Sequence, residues 1–81
     1  MAREKLGREI ADFVWQYGDW YEISDIYDSI DELITETIAC LYDTFKRKAI
    51  ALYLKEITAF SDYDDEALKA AELYRKVVEL C

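Results

Sequence analysis

Proline and histidine are both absent from the 81 residues, and glycine occurs only at Gly7 and Gly18. Without proline, and with so little glycine, the chain lacks the punctuation that strands and hairpins need, so an all-α fold is expected. The lack of histidine excludes di-iron chemistry built on Glu-x-x-His and every His-based catalytic triad. Cysteine is confined to Cys40 and Cys81, too few and too far apart for a disulfide scaffold, and a reducing cytoplasm is the expected compartment. Neither a signal peptide nor an apolar run of membrane-spanning length is present. The absence with the largest consequence is one of charge. Between Arg8 and Lys46 there is no basic residue, while ten carboxylates occur there: Glu9, Asp12, Asp19, Glu22, Asp25, Asp28, Asp31, Glu32, Glu36 and Asp43.

The length predicts one acidic helical domain, residues 1–81, burying about 60% of the surface its unfolded chain exposes. A core this thin competes with any active-site cavity. The net charge of −8 disfavours direct binding to nucleic acid, because phosphate contacts depend on Lys and Arg. A basic protein is the expected partner. Hydrophobic residues make up 53% of the chain, a proportion that excludes disorder despite the charge.

Apolar spacing predicts a small bundle of three to four helices, at about 3–17, 24–43, 44–60 and 64–80. In the first, Leu6, Ile10, Phe13, Val14 and Tyr17 form one stripe; Gly18 is placed to end it in a left-handed cap, and Gly7 weakens its first turns. A second stripe runs through Ile23, Ile26, Ile30, Leu33, Ile34, Ile38, Leu41 and Phe45. Ser24 is its candidate N-cap, with a Ser29/Glu32 capping box one turn later. Ala49, Leu52, Tyr53, Ile57 and Phe60 continue helical spacing up to a turn and cap at Ser61, Asp62 and Asp64. Ala67, Leu68, Ala71, Tyr74, Val77 and Val78 are the expected inward residues of the last helix. As one uninterrupted helix, residues 24–60 would be about 55 Å long, too long for a globule of this size. Either the chain bends near Cys40–Thr44, capped by Asp43 or Thr44, or one long kinked helix is covered by a second chain. The bend and a four-helix arrangement are the expected outcome, and a three-helix dimer is the alternative.

The helix macrodipole accounts for Asp25 and Asp28 near a helix start and for Lys46, Arg47 and Lys48 near an end. It does not account for Glu36 and Asp43, or for Asp28, Glu32 and Glu36 stacked at successive i, i+4 positions. Like charges at that spacing cost roughly 0.2–0.5 kcal/mol per pair, and the several pairs here sum to about 1–2 kcal/mol. Against a total stability on the order of 5–15 kcal/mol this is noticeable, and a cationic partner would relieve it. A merely solvated face is the competing reading.

Carboxylates at these spacings recur every ~4.5–6 Å along a helix, a charge density of the same order as one strand of duplex DNA. A rigid acidic helix therefore imitates a row of phosphates and fits the basic groove with which a nuclease, repressor or polymerase grips nucleic acid. In size and charge the chain resembles in kind the small DNA-mimic inhibitors of phages and other mobile elements, among them anti-restriction and anti-CRISPR proteins. The expected function is that of a non-enzymatic protein-binding module. Its expected partner-binding residues are Asp19, Glu22, Asp25, Asp28, Asp31, Glu32 and Glu36, with Trp20 and Tyr21 as aromatic anchors. Trp15, Tyr17, Trp20, Tyr21 and Tyr27 crowd one stretch, and at least one of these rings is expected to meet solvent and to offer a cation-π face.

Other patterns are better explained by structure. The Lys46, Arg47, Lys48 cluster reads as a helix C-cap with intramolecular pairing. The Asp62–Glu66 run lacks the glycine and distant glutamate of a calcium loop and reads as helix capping. Cys40 reads as a buried small hydrophobe and Cys81 as a frayed end residue. Neither a metal nor a cofactor is expected. The alternative function is a homodimeric structural or regulatory subunit that pairs through the aromatic cluster and the long helix.

Overall fold

The computed structural model describes residues 2–18 and 28–80. These form four helices and, among the described residues, no strand: α1 (Ala2–Tyr17), α2 (Ile30–Leu41), α3 (Thr44–Phe60) and α4 (Asp64–Glu79). The expected bend between α2 and α3 is present. Asp43 is the N-cap of α3, its carboxylate accepting the Lys46 backbone N–H at 2.9 Å. Capping one orphan donor this way contributes about 1 kcal/mol and starts a new helix where the old one stops. Arg47 helps close the preceding helix, since its Nη1 donates to the Leu41 carbonyl at 2.9 Å. This revises the reading of the Lys46–Arg47–Lys48 cluster. The three residues lie in the first turns of α3, Arg47 alone reaches back to α2, and no ion pair of the cluster is found among the described residues.

The start of α2 also differs from expectation. Ser29 is the N-cap residue, and its side chain makes no capping hydrogen bond. Glu32 Oε2 instead accepts the backbone N–H of Asp28 at 3.2 Å, one residue earlier than a capping box places it. Ser24, Ile23 and Ile26 lie outside the described residues. Gly18 follows α1 through an ordinary helical bond to Val14, and neither glycine adopts a positive φ, so the left-handed cap is not formed. At the last turn, expected at Ser61, Asp62 and Asp64, it is Ser61 that organises the chain: its Oγ accepts the Tyr63 N–H and donates to the Tyr63 carbonyl, both at 3.1 Å. Tyr63 is the N-cap of α4, and Asp64, Asp65 and Glu66 fill its first turn, where the helix dipole favours negative charge.

α1 packs chiefly on α2 and α3 chiefly on α4, while α1 and α4 join the two pairs. The core brings together Leu6, Ile10 and Phe13 of α1, Leu41 of α2, Leu54 of α3, and Ala70, Leu73 and Val77 of α4. The α1 stripe is as expected, with Tyr17 half-buried against the Phe13 ring at 5.1 Å. On α3 and α4 the expected inward faces are displaced. Leu54 is the buried residue of α3, while Leu52 is 57% and Phe60 81% exposed. On α4, Ala70, Leu73 and Val77 are buried, and Leu68 and Val78 point outward. Phe45, assigned to the end of the second stripe, is 84% exposed. Both helices are apolar on more than one side, so spacing alone offers two consistent stripes for each, and the packing of α3 on α4 and of α4 on α1 selects between them.

Gly7 has an unexpected role. It is buried in α1, and a Cβ built on it would lie 2.5 Å from Ile38 Cγ1 and 3.0 Å from Ile38 Cα. The residue read as a weak point of α1 is one where α1 and α2 approach too closely for a side chain.

The α1 N-terminus is pinned to the α2–α3 turn. Tyr42 Oη donates to Glu4 at 2.8 Å, and the Arg3 guanidinium stands 5.2 Å over the Tyr42 ring. This hydrogen bond is the main cause that lowers the Glu4 pKa below the ordinary glutamate value and raises that of Tyr42. The Glu4 contribution to stability is present above the usual glutamate range and is lost as pH falls through its lowered folded-state value. The Tyr42 contribution is present below the usual tyrosine range and is lost as pH rises through its raised value. Tyr42→Phe is expected to move the Glu4 titration, followed by side-chain carboxyl NMR, back toward the ordinary value. An unmoved titration would assign the shift to the backbone hydrogen bond and to the positive charges of Arg3 and the N-terminus.

Candidate functional site: an acidic flank on the second helix

Four of the expected partner-binding residues are described: Asp28, Asp31, Glu32 and Glu36, and all four are exposed. At about 3.6 residues per turn Asp31 and Glu32 fall on the side of α2 away from its buried Leu33, Thr37 and Leu41, with Glu36 at the edge of that side, while Asp28 stands just before the N-cap Ser29. Thr35 shares that outer face and is turned back onto its own helix, its hydroxyl donating to the Asp31 carbonyl at 2.9 Å. Inside, Thr37 does the same to Leu33 at 2.7 Å, satisfying the polar atom of the single buried polar residue among those described. Asp19, Trp20, Tyr21, Glu22 and Asp25 lie outside the described residues, as does Tyr27.

The carboxylates of this flank are not neutralised from within. Among the described residues, the ion pairs are Lys69–Glu72, Lys76–Glu72 and Lys76–Glu9, none of which involves α2. Two members of the acidic block are, by contrast, in structural use. Glu9 accepts from Lys76 Nζ at 3.2 Å, clamping α1 to α4, and this bond is the main cause holding the Lys76 ammonium above the usual lysine range. Asp43 caps α3. Asp12 stands exposed on α1. The block of ten is therefore not one surface: the unpaired stack is the α2 part of it.

Beside this flank opens an apolar cavity of about 310 Å³, walled by Ile10, Val14, Thr37, Cys40, Ala49, Ile50 and Tyr53, with Glu36 and Lys46 also contributing. Cys40 is a free, half-buried thiol in that wall rather than a fully buried core residue. Sequence reasoning missed the cavity because its lining comes from three helices, none of which has a motif there. No grouping of three or more carboxylate or thiol side chains suited to holding a metal ion exists among the described residues. Nor is any described helix long and apolar enough to cross a membrane.

What these features define is a small all-α bundle with an unneutralised acidic helix face. Comparison with known proteins finds no matching family model, no matching curated protein and no matching solved structure.

Proposed function

We propose that the chain is a protein-binding module without catalytic chemistry of its own, which presents the outer face of α2 to a basic protein surface in the reducing cytoplasm. The observation that carries the reading is that Asp31, Glu32 and Glu36 stand exposed along α2, with Asp28 exposed just before its N-cap, and that no Lys or Arg is paired to them among the described residues. Helical spacing repeats these charges at a density comparable with a phosphate strand, so the partner's surface is one built to grip nucleic acid. The module then acts as a DNA mimic of the anti-restriction or anti-CRISPR kind, competing by occupation. Like-charge repulsion on α2 is exchanged for attraction to arginine and lysine, a gain that also steers the encounter.

Asp31→Lys with Glu36→Lys reverses this face while leaving the Glu32 bond to Asp28 in place. The variant is expected to keep the native helical circular dichroism, and its stability should change by about 0.5 kcal/mol or less, as for exposed sites. In capture from a lysate of the source cells, the native bait should retain nucleic-acid-binding proteins that elute with added duplex DNA or with rising salt. The charge-reversed bait should lose them. Equal capture by both baits, or elution indifferent to salt and to DNA, would reject the reading.

A further inference from the structure

The outward side of α3 is apolar along nearly its whole length. Phe45 is 84% exposed, Leu52 57%, Tyr53 40% and Phe60 81%, and Ala49 is exposed between them. At about 3.6 residues per turn these residues share one side of the helix, opposite the buried Leu54. From Phe45 to Phe60 the stripe is about 22 Å long at about 1.5 Å per residue. It therefore runs much of the length of a molecule measuring 31 × 28 × 20 Å. An exposed apolar stripe of this length, interrupted by Glu56, marks an interaction site rather than ordinary solvent-facing side chains.

We infer that this stripe pairs two copies of the chain, α3 against α3 in antiparallel order about a two-fold axis between Leu52 and Tyr53. The sequence of α3 is its own complement in that order. Phe45 of one copy falls opposite Phe60 of the other, Leu52 opposite Tyr53, and Lys48 within one residue of Glu56. A two-fold interface forms each such contact twice. Charge selects the direction. Glu56 stands among the apolar side chains of the stripe, Lys48 stands at its edge, and neither has an ion pair among the described residues. Antiparallel pairing joins each Glu56 to a Lys48, whereas parallel pairing sets Glu56 against Glu56 and Lys48 against Lys48. Shape agrees with charge. A hollow of about 300 Å³ lined by Tyr53, Glu56, Ile57, Phe60, Ser61 and Glu66 lies at the end of the stripe where Phe45 of the second copy arrives. The pairing uses side chains of α3 and none of the carboxylates of α2, although Ala49 and Tyr53 of the stripe line the same cavity as Glu36 of the acidic flank, and its test does not depend on the role proposed for that flank.

Sedimentation equilibrium of the full chain in reductant, over low to high micromolar concentration, tests the inference. The native chain should be a reversible dimer that persists in high salt, as expected for a largely apolar contact. Phe45→Asp and Phe60→Asp, at exposed positions, should each raise the dimer dissociation constant at least about tenfold with an unchanged circular dichroism spectrum. Lys48→Glu and Glu56→Lys should each weaken the dimer, and the two together should restore it. A native monomer at every concentration would overturn the inference. So would a dimer indifferent to both phenylalanine substitutions, or a double charge exchange that fails to restore association.

Discussion

Leu54→Ala is expected to lower stability by about 2–5 kcal/mol, whereas Leu52→Ala, two residues away, should change it by no more than about 0.5 kcal/mol. Leu54 is fully buried in the shared core, at 0% exposure, while Leu52 is 57% exposed. Removing the Leu54 side chain forfeits its transfer free energy and leaves a cavity among Leu41, Leu73 and Val77 that rigid helices fill only in part. Because total stability for a domain of this size is on the order of 5–15 kcal/mol, the upper end of that range leaves a substantially unfolded chain. Urea denaturation at low protein concentration, where pairing of copies does not contribute, measures both variants. The opposite ranking would mean that α3 faces the core with its other side.

Gly7→Ala should destabilise the protein even though alanine is the better helix former. In an isolated helix the substitution gains about 1 kcal/mol. Here the new methyl meets Ile38 Cγ1 at 2.5 Å, and the Ile38 backbone lies behind it, with Cα at 3.0 Å and N at 3.1 Å. The isoleucine side chain can turn aside, but the α2 backbone cannot retreat without separating α1 from α2. Overpacking of this kind costs typically 1–3 kcal/mol, and with a backbone as the obstacle the upper part of the range applies, for a net loss of about 1–2 kcal/mol. The melting temperature should fall by roughly 4–8 °C for each kcal/mol lost. Ile38→Ala in the Gly7→Ala background should relieve the Cγ1 contact and leave the backbone contacts, so a double-mutant cycle should show partial recovery only. A Gly7→Ala protein that melts at or above the native temperature would contradict so close a packing of α1 on α2.

The two substitutions also separate what is local in this fold from what is not. Helix content and the break between α2 and α3 are legible in the sequence. Proline is missing, apolar residues recur at helical spacing, and Asp43 stands where a carboxylate can take the N–H of Lys46. Capping is decided within four residues, so sequence alone carries it. The acidic face of α2 is legible for the same reason, since Asp31, Glu32 and Glu36 are placed relative to Leu33 and Leu41 by the pitch of a single helix, whereas Asp28, expected to continue the stack, falls before the helix begins. The turn before α4 was legible in place but not in detail, because Ser61 and the aspartates can each bond a nearby N–H and only the backbone path chooses among them.

By itself, then, the sequence determined that the chain is helical, where α3 starts after α2, and that α2 carries a run of negative charge on its outer side, because each of these depends on residues within a turn or two of one another. The tertiary structure decided which side of α3 and α4 is inside, that Gly7 is a contact point and not a weakness, and that Glu9 belongs to Lys76 while the α2 carboxylates have no such partner among the described residues. These outcomes depend on residues far apart in the chain. A helix with two apolar sides has no internal reason to prefer one of them until a neighbouring helix excludes water from it.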